Sequence, residues 1–143
     1  MEKRPLDKDR AKLVNPVTLA FLGDAVYALW VREKLVLAGV GQAADMQRAA
    51  SKVVSARGQS AFLERVLPLF TEEEADVFRR GRNAKKPTKS KHASAAEYSR
   101  STGFEAVIGY LYLIGDMERV ELLLSLTDEN DLKGQAAEKA FKP

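Results

Sequence analysis

The 143-residue sequence predicts an all-α fold, on three observations. Two stretches, residues 13–31 and 104–114, are apolar over nearly their whole length and are bounded by helix-start and helix-stop residues. Two further helices open on capping boxes, Thr71–Glu74 and Ser94–Glu97, in which a hydroxyl and a carboxylate satisfy each other's backbone donors. No segment carries the sustained two-residue alternation of a half-buried strand.

Residues 1–12 are polar and read as a loose lead-in with at most part of a helix. Asn15 followed by Pro16 is an N-cap and a proline whose missing N–H costs nothing at the first helical position. The central helix is expected from about Pro16 to Ala38, ended by Gly39 and Gly41. Apolar residues occupy nearly every side of it through Val31, which predicts burial all round. A short helix follows from about Ala44 to Lys52, and Ser55 caps a third that reaches about Leu67, where Pro68 closes it. Thr71 opens a fourth with Glu72, Glu73 and Glu74 at the positive end of the helix dipole. It is expected to end near Arg80, with Gly81 as its stop.

Residues 82–93, with Pro87, Thr88 and Ser90 among the lysines, read as an exposed loop. Ser94 caps a long helix through Ile114, Gly115 ends it, and Asp116 caps a last helix to about Leu126. Residues 127–143 read as a polar tail. With no internal repeat and no dividing linker, one domain over 1–143 is expected, its core at about 14–126.

Composition narrows the chemistry. The chain has no cysteine, so disulfides, thiol nucleophiles and thiolate zinc sites are excluded. Its single histidine, His92, excludes a histidine-rich metal centre and leaves little for a Ser-His-Asp triad. A metal here has to be held by carboxylates, which favours magnesium or manganese. The charged first dozen residues do not resemble a secretory leader, and a cytoplasmic location is expected. Net charge is only +3, but residues 79–91 hold Arg79, Arg80, Arg82, Lys85, Lys86, Lys89 and Lys91 with no acid among them. Positive charge concentrated this way suits a patch that meets phosphates.

Two acids stand out. Asp24 is the sole ionised residue of 13–31, and it sits beside Gly23, which costs about 1 kcal/mol against alanine in a helix. A carboxylate buried there is expensive unless it is paired, hydrogen-bonded or metal-bound. Three readings compete: a membrane span, which Asn15, Pro16, Gly23 and Asp24 make a poor candidate; a structural ion pair, for example to Arg100; and a functional acid. Glu105 mirrors Asp24 as the sole ionised residue of 104–114. If the two apolar helices cross at these positions, the carboxylates converge and repel, and one pKa rises unless a cation intervenes. On the residues alone, metal or acid chemistry and a structural salt bridge both stand.

Ala20-Phe21-Leu22-Gly23-Asp24-Ala25-Val26 resembles the ribonuclease III signature Glu-Phe-Leu-Gly-Asp-Ala/Ser-Val. Ser101-Thr102-Gly103-Phe104-Glu105-Ala106-Val107-Ile108-Gly109 resembles that family's second motif, Asp-x-Phe-Glu-Ala-Leu-Ile-Gly. Lys52-Val53-Val54-Ser55 fits the stretch between them, and the resemblance covers roughly residues 14–125. There are two departures: Ala20 stands where the family has its leading glutamate, and Thr102 where it has the aspartate. The chain shows no double-stranded-RNA-binding domain, and Arg80-Gly81-Arg82-Asn83-Ala84-Lys85 precedes the basic loop. Both features are similar to the short Mini-III branch.

The resemblance implies a ribonuclease III catalytic-domain-like helical bundle and hydrolysis of phosphodiesters in double-stranded RNA. It implies magnesium, with manganese as the alternative, held by Asp24 and Glu105 as catalytic and metal-binding residues. Such an ion polarises the scissile phosphate and lowers the pKa of an attacking water. The implied partners are precursor large-subunit (23S) ribosomal RNA, a second copy of the chain and a ribosomal protein, with no membrane. Arg82, Lys85, Lys86, Lys89 and Lys91 are the RNA-binding candidates, and His92 reads as a loop residue bonding phosphate. Thr102 either relays a hydrogen bond in the site or is a helix-facing hydroxyl. Tyr98, Tyr110 and Tyr112 read as core or interface packing, because duplex RNA keeps its bases stacked. The runner-up is a non-catalytic duplex-RNA-binding or ribosome-assembly protein on the same fold, kept open by Ala20 and Thr102. A helical protein–protein adaptor, without salt-dependent RNA binding, is the third reading.

Overall fold

The computed structural model describes residues 5–39, 41–85 and 94–126, and among them there is no strand. The helices are α1 (Lys8–Leu13), α2 (Pro16–Leu37), α3 (Ala43–Val54), α4 (Ala56–Val66), α5 (Glu72–Asn83), α6 (Ala95–Leu113) and α7 (Met117–Ser125), with a short 3-10 turn over Leu67–Leu69. The all-α expectation holds. Asn15 Oδ1 accepts the Val17 N–H at 2.8 Å, and both capping boxes form reciprocally.

α6 is the axis of the bundle, with α2 and α5 packed along it. α2 and α6 touch backbone to backbone. A Cβ on Gly23 would stand inside van der Waals contact of the Glu105 carbonyl oxygen and 2.8 Å from the Gly109 nitrogen. One on Gly109 would run into the Leu19 carbonyl. Gly23, costly to a helix in isolation, is what permits this crossing. α5 approaches α6 in the same manner, since a Cβ on Gly81 would lie 3.0 Å from Gly103 Cα and from Ala106 Cβ. That close contact keeps Gly81 helical, so α5 runs through it to Asn83 instead of stopping at Arg80.

Around the crossing, Tyr27, Phe62 and Phe104 stack edge to face with centroids 5.1–6.0 Å apart. Tyr110 is buried and its hydroxyl donates to Glu73 at 3.4 Å, whereas Tyr98 and Tyr112 are half-buried. Tyr110 is thus core packing, while Tyr98 and Tyr112 keep part of their surface in solvent. The buried Glu74 carboxylate takes two hydrogen bonds of 2.8 Å from Arg119, which ties α5 to α7.

Two further expectations change. The lead-in is not loose over its described part: Asp7 caps α1, Leu6 N–H donates to the Leu113 carbonyl at 2.7 Å, and Arg80 donates to the Lys12 carbonyl at 2.9 Å. α2 is not buried all round either. Its inner face carries Leu19, Gly23, Tyr27, Trp30 and Val31, while Phe21 is 83% and Leu29 63% exposed, with Asp24 and Ala25 exposed between them. Helical periodicity records that a face is apolar but not whether it is covered by its own chain. Among the described residues no helix is long and apolar enough to cross a membrane.

Candidate functional site

The Gly23–Gly109 crossing places the residue after Gly23 beside the residue one turn before Gly109. These are Asp24 and Glu105, and their carboxyl groups hydrogen-bond each other. Asp24, expected to be buried, is instead exposed because it lies on the uncovered stripe of α2; Glu105 is half-buried. The Glu105 carboxyl is pushed up to about 9 by its burial, then by the hydrogen bond its protonated form donates to Asp24 and by that group's charge, while the Gln59 amide opposes the rise. Near neutral pH and without a cation, the Glu105 carboxyl therefore keeps its proton.

The structural salt bridge weighed for these acids is absent among the described residues. Arg100 turns to α4 and pairs with Glu64 at 2.6 Å. No group of three or more metal-ligating side chains forms among the described residues. The donor set is two carboxylates, all oxygen, open to solvent on the Asp24 side. A hard divalent ion suits it, because magnesium takes one or two carboxylates and completes its shell with water and substrate phosphate. Displacing the Glu105 proton is what such an ion would do electrostatically.

The positions of the two replaced family acids lie one turn before Asp24 and Glu105 on the same helices. Ala20 is 6% exposed and belongs to the core. Thr102 is buried, and its hydroxyl donates to the Tyr98 carbonyl at 2.9 Å, the arrangement of a helix-facing hydroxyl. Sequence reasoning missed Gln59, which is fully buried; its Nε2 donates to the Val54 carbonyl at 2.9 Å and to Glu105 Oε2 at 3.0 Å. The available signal was a polar residue on the inward stripe of α4, in line with Phe62, Leu63 and Val66. Tyr27, also buried, donates from its hydroxyl to the Val53 carbonyl at 3.4 Å, and burial and the Glu105 charge raise its phenol pKa.

Of the RNA-binding candidates, Arg82 lies in the last turn of α5 and not in a loop, because α5 continues past Gly81. Its guanidinium sits 5.8 Å from the Phe78 ring centre and bonds Asn83 Oδ1 at 3.2 Å. Lys85 is exposed just beyond the helix, and the end of α5 meets α6 within a turn of Glu105. Lys86, Lys89, Lys91 and His92 lie outside the described residues. On the uncovered side of α2 runs an open groove of about 410 Å³, lined by Leu22, Val26, Leu29, Trp30, Tyr112 and Leu124.

Comparison with known proteins matches the family described as Ribonuclease III domain over residues 17–116. A Mini-ribonuclease 3 of Symbiobacterium thermophilum is 48% identical over 120 residues, covering 84% of this chain and 92% of that protein. One from Brevibacillus brevis is 44% identical over 120 residues, covering 84% and 89%. One from Staphylococcus aureus is 44% identical over 116 residues, covering 80% and 87%. Among solved structures, a crystal structure of a Fusobacterium nucleatum protein superposes with a TM-score of 0.76 at 25% identity, covering 83% of this chain and 95% of that one.

Proposed function

The chain belongs to the ribonuclease III family and is an endoribonuclease of double-stranded RNA, and we propose that it cuts with Asp24 and Glu105 as its catalytic, metal-holding pair. One observation carries the assignment: the lone acids of the two apolar helices meet where the helix backbones touch at Gly23 and Gly109. The Mini-ribonuclease 3 relatives favour this reading over the non-catalytic and adaptor alternatives. Magnesium is the proposed ion, with manganese suited to the same oxygen donors. When bound, it supplies polarisation of the scissile phosphate and a lowered pKa for a water nucleophile. The protein's own part is to release the Glu105 proton, present two anionic oxygens from rigid helices, and leave the remaining positions to water and phosphate. Asp24, exposed, faces the substrate side; Glu105, half-buried, anchors the pair to the core.

The proposed substrate is the paired stem of precursor 23S ribosomal RNA, bound in the cytoplasm and presented with a ribosomal protein in place. Cleavage of a long RNA duplex with magnesium, with manganese and with a chelator tests the chemistry. Mapped cuts at the ends of the precursor test the substrate, and scattered cuts along it would sink that part.

The basic segment is proposed to supply duplex affinity, reaching phosphates across a groove by shape and without reading sequence. Replacing Lys85, Lys86, Lys89 and Lys91 with glutamine is expected to weaken duplex binding at low salt. The slope of log affinity against log salt should flatten by about 0.7–0.9 for each phosphate that is no longer neutralised. Turnover at saturating RNA should change much less. An unaltered slope would remove the segment from the RNA surface.

A second copy is the proposed occupant of the uncovered α2 face. Phe21, one turn from Asp24 and 83% exposed, is too large an apolar group to leave in water without reason, and burying it is worth about 1.5–3 kcal/mol per copy. Phe21→Ser should therefore weaken self-association by at least about ten-fold in sedimentation equilibrium. A variant that self-associates as tightly as the parent chain would place the interface elsewhere.

A further inference from the structure

We infer that Gln59 is a positioning residue for the site: its side-chain amide, anchored on the Val54 carbonyl, fixes the orientation in which Glu105 presents its carboxylate beside Asp24. The inference rests on the Asp24–Glu105 reading above and adds a residue that neither sequence motif contains.

Geometry dictates the direction of the bond. Val54 is the last residue of α3, so its carbonyl lacks an intrahelical partner and is open to a donor. Gln59, in the first turns of α4, donates one Nε2 hydrogen to that carbonyl at 2.9 Å and the other to Glu105 Oε2 at 3.0 Å. Both amide hydrogens are then used. Turning the amide over would set its oxygen against the Val54 carbonyl, acceptor against acceptor. The amide can therefore only donate to Glu105, and what it favours is an ionised, oriented carboxylate.

Stability does not account for the glutamine. Its Oε1 is buried and has no hydrogen-bond partner among the described residues. An unmet buried acceptor is a standing cost to the fold, and a methionine or leucine in the same stripe as Phe62 and Leu63 would carry none. What glutamine supplies and an apolar residue cannot is the bond to Glu105. Tyr27 takes the neighbouring Val53 carbonyl, so the α3–α4 corner that anchors the amide is itself tied to α2. Groups that orient metal-ligating carboxylates from behind set affinity for the ion as well as geometry.

The test uses RNA-free protein and manganese, with free Mn²⁺ read by electron paramagnetic resonance. The original chain, Asp24→Asn and Gln59→Met are titrated in parallel. Gln59→Met is expected to bind manganese about ten-fold more weakly, the usual effect of losing such a partner. Its metal-free thermal midpoint should stay level or rise. Its cleavage rate should be low at limiting magnesium and recover at high magnesium, while Asp24→Asn does not recover. Gln59→Leu replaces the methionine variant if that one does not fold; failure of both to fold would assign Gln59 to the fold and overturn the inference. A folded variant with manganese affinity within two-fold of the original would also overturn it, and would leave the Asp24–Glu105 site standing. Manganese binding untouched by Asp24→Asn is the distinct result that removes the site reading, and the role of Gln59 with it.

Discussion

Asp24→Asn is expected to leave a folded protein that cleaves duplex RNA about a thousand-fold more slowly, since losing several kcal/mol of metal-assisted stabilisation corresponds to about that factor in rate. The substitution keeps size and hydrogen-bonding capacity and removes the charge. Single-turnover cleavage at saturating magnesium reads the effect directly. Stability should respond in the other direction. Glu105 titrates at about 9 in the folded chain, above its ordinary value of 4.5, so the folded state holds that proton more tightly than the unfolded one. The stability this provides is complete below the unfolded carboxylate pKa and is lost as pH rises toward about 9. Metal-free protein should accordingly lose thermal stability from pH 5 to pH 9. Asp24→Asn should lose less, because the neighbouring charge is gone, though the larger cause, burial, remains. Unchanged cleavage with a lowered midpoint would return Asp24 to the role of a structural ion-pair partner.

How far the sequence carried this reading differs by element. Caps and boxes are local chemistry, and Asn15-Pro16, Thr71–Glu74 and Ser94–Glu97 start helices where the residues say they do. Asp24 and Glu105 were legible as lone acids in apolar helices, but their meeting depends on a crossing no local pattern encodes. The glycines were the hint: Gly23 and Gly109 are unfavourable in isolated helices and become necessary when two backbones touch. Gly81 misled for the same reason, since a glycine used for close approach looks like one used as a stop. The exposure of Asp24, Phe21 and Leu29 was not legible, because an apolar face reads alike whether its own core or another surface covers it. Gln59 was missed because its partner, the Val54 carbonyl, is a backbone atom freed by the α3–α4 corner.

Gly23→Ala is expected to damage fold and site together. The added methyl would enter the Glu105 carbonyl and stand 2.7 Å from its carbon and 2.8 Å from the Gly109 nitrogen. These are backbone atoms of a buried helix, so no flexible side chain can give way, and the helices have to part. Overpacking of this kind costs about 3 kcal/mol or more, against a gain of under about 1 kcal/mol from better helix propensity. In a chain of this size that lowers the thermal midpoint by roughly 10 °C. Parting α2 from α6 also separates Asp24 from Glu105, so cleavage should fall further than the folded fraction does. Gly39→Ala separates the two uses of glycine. Gly39 has a φ of 67° and nothing within 4 Å of an added Cβ, so only backbone strain of about 1–2 kcal/mol is expected there, with cleavage per folded molecule unchanged. Thermal unfolding and cleavage measured on both variants decide the matter. A Gly23→Ala protein with the parent's midpoint and full activity would show that the two carboxylates do not depend on this crossing, and the account of the site would fail at its base.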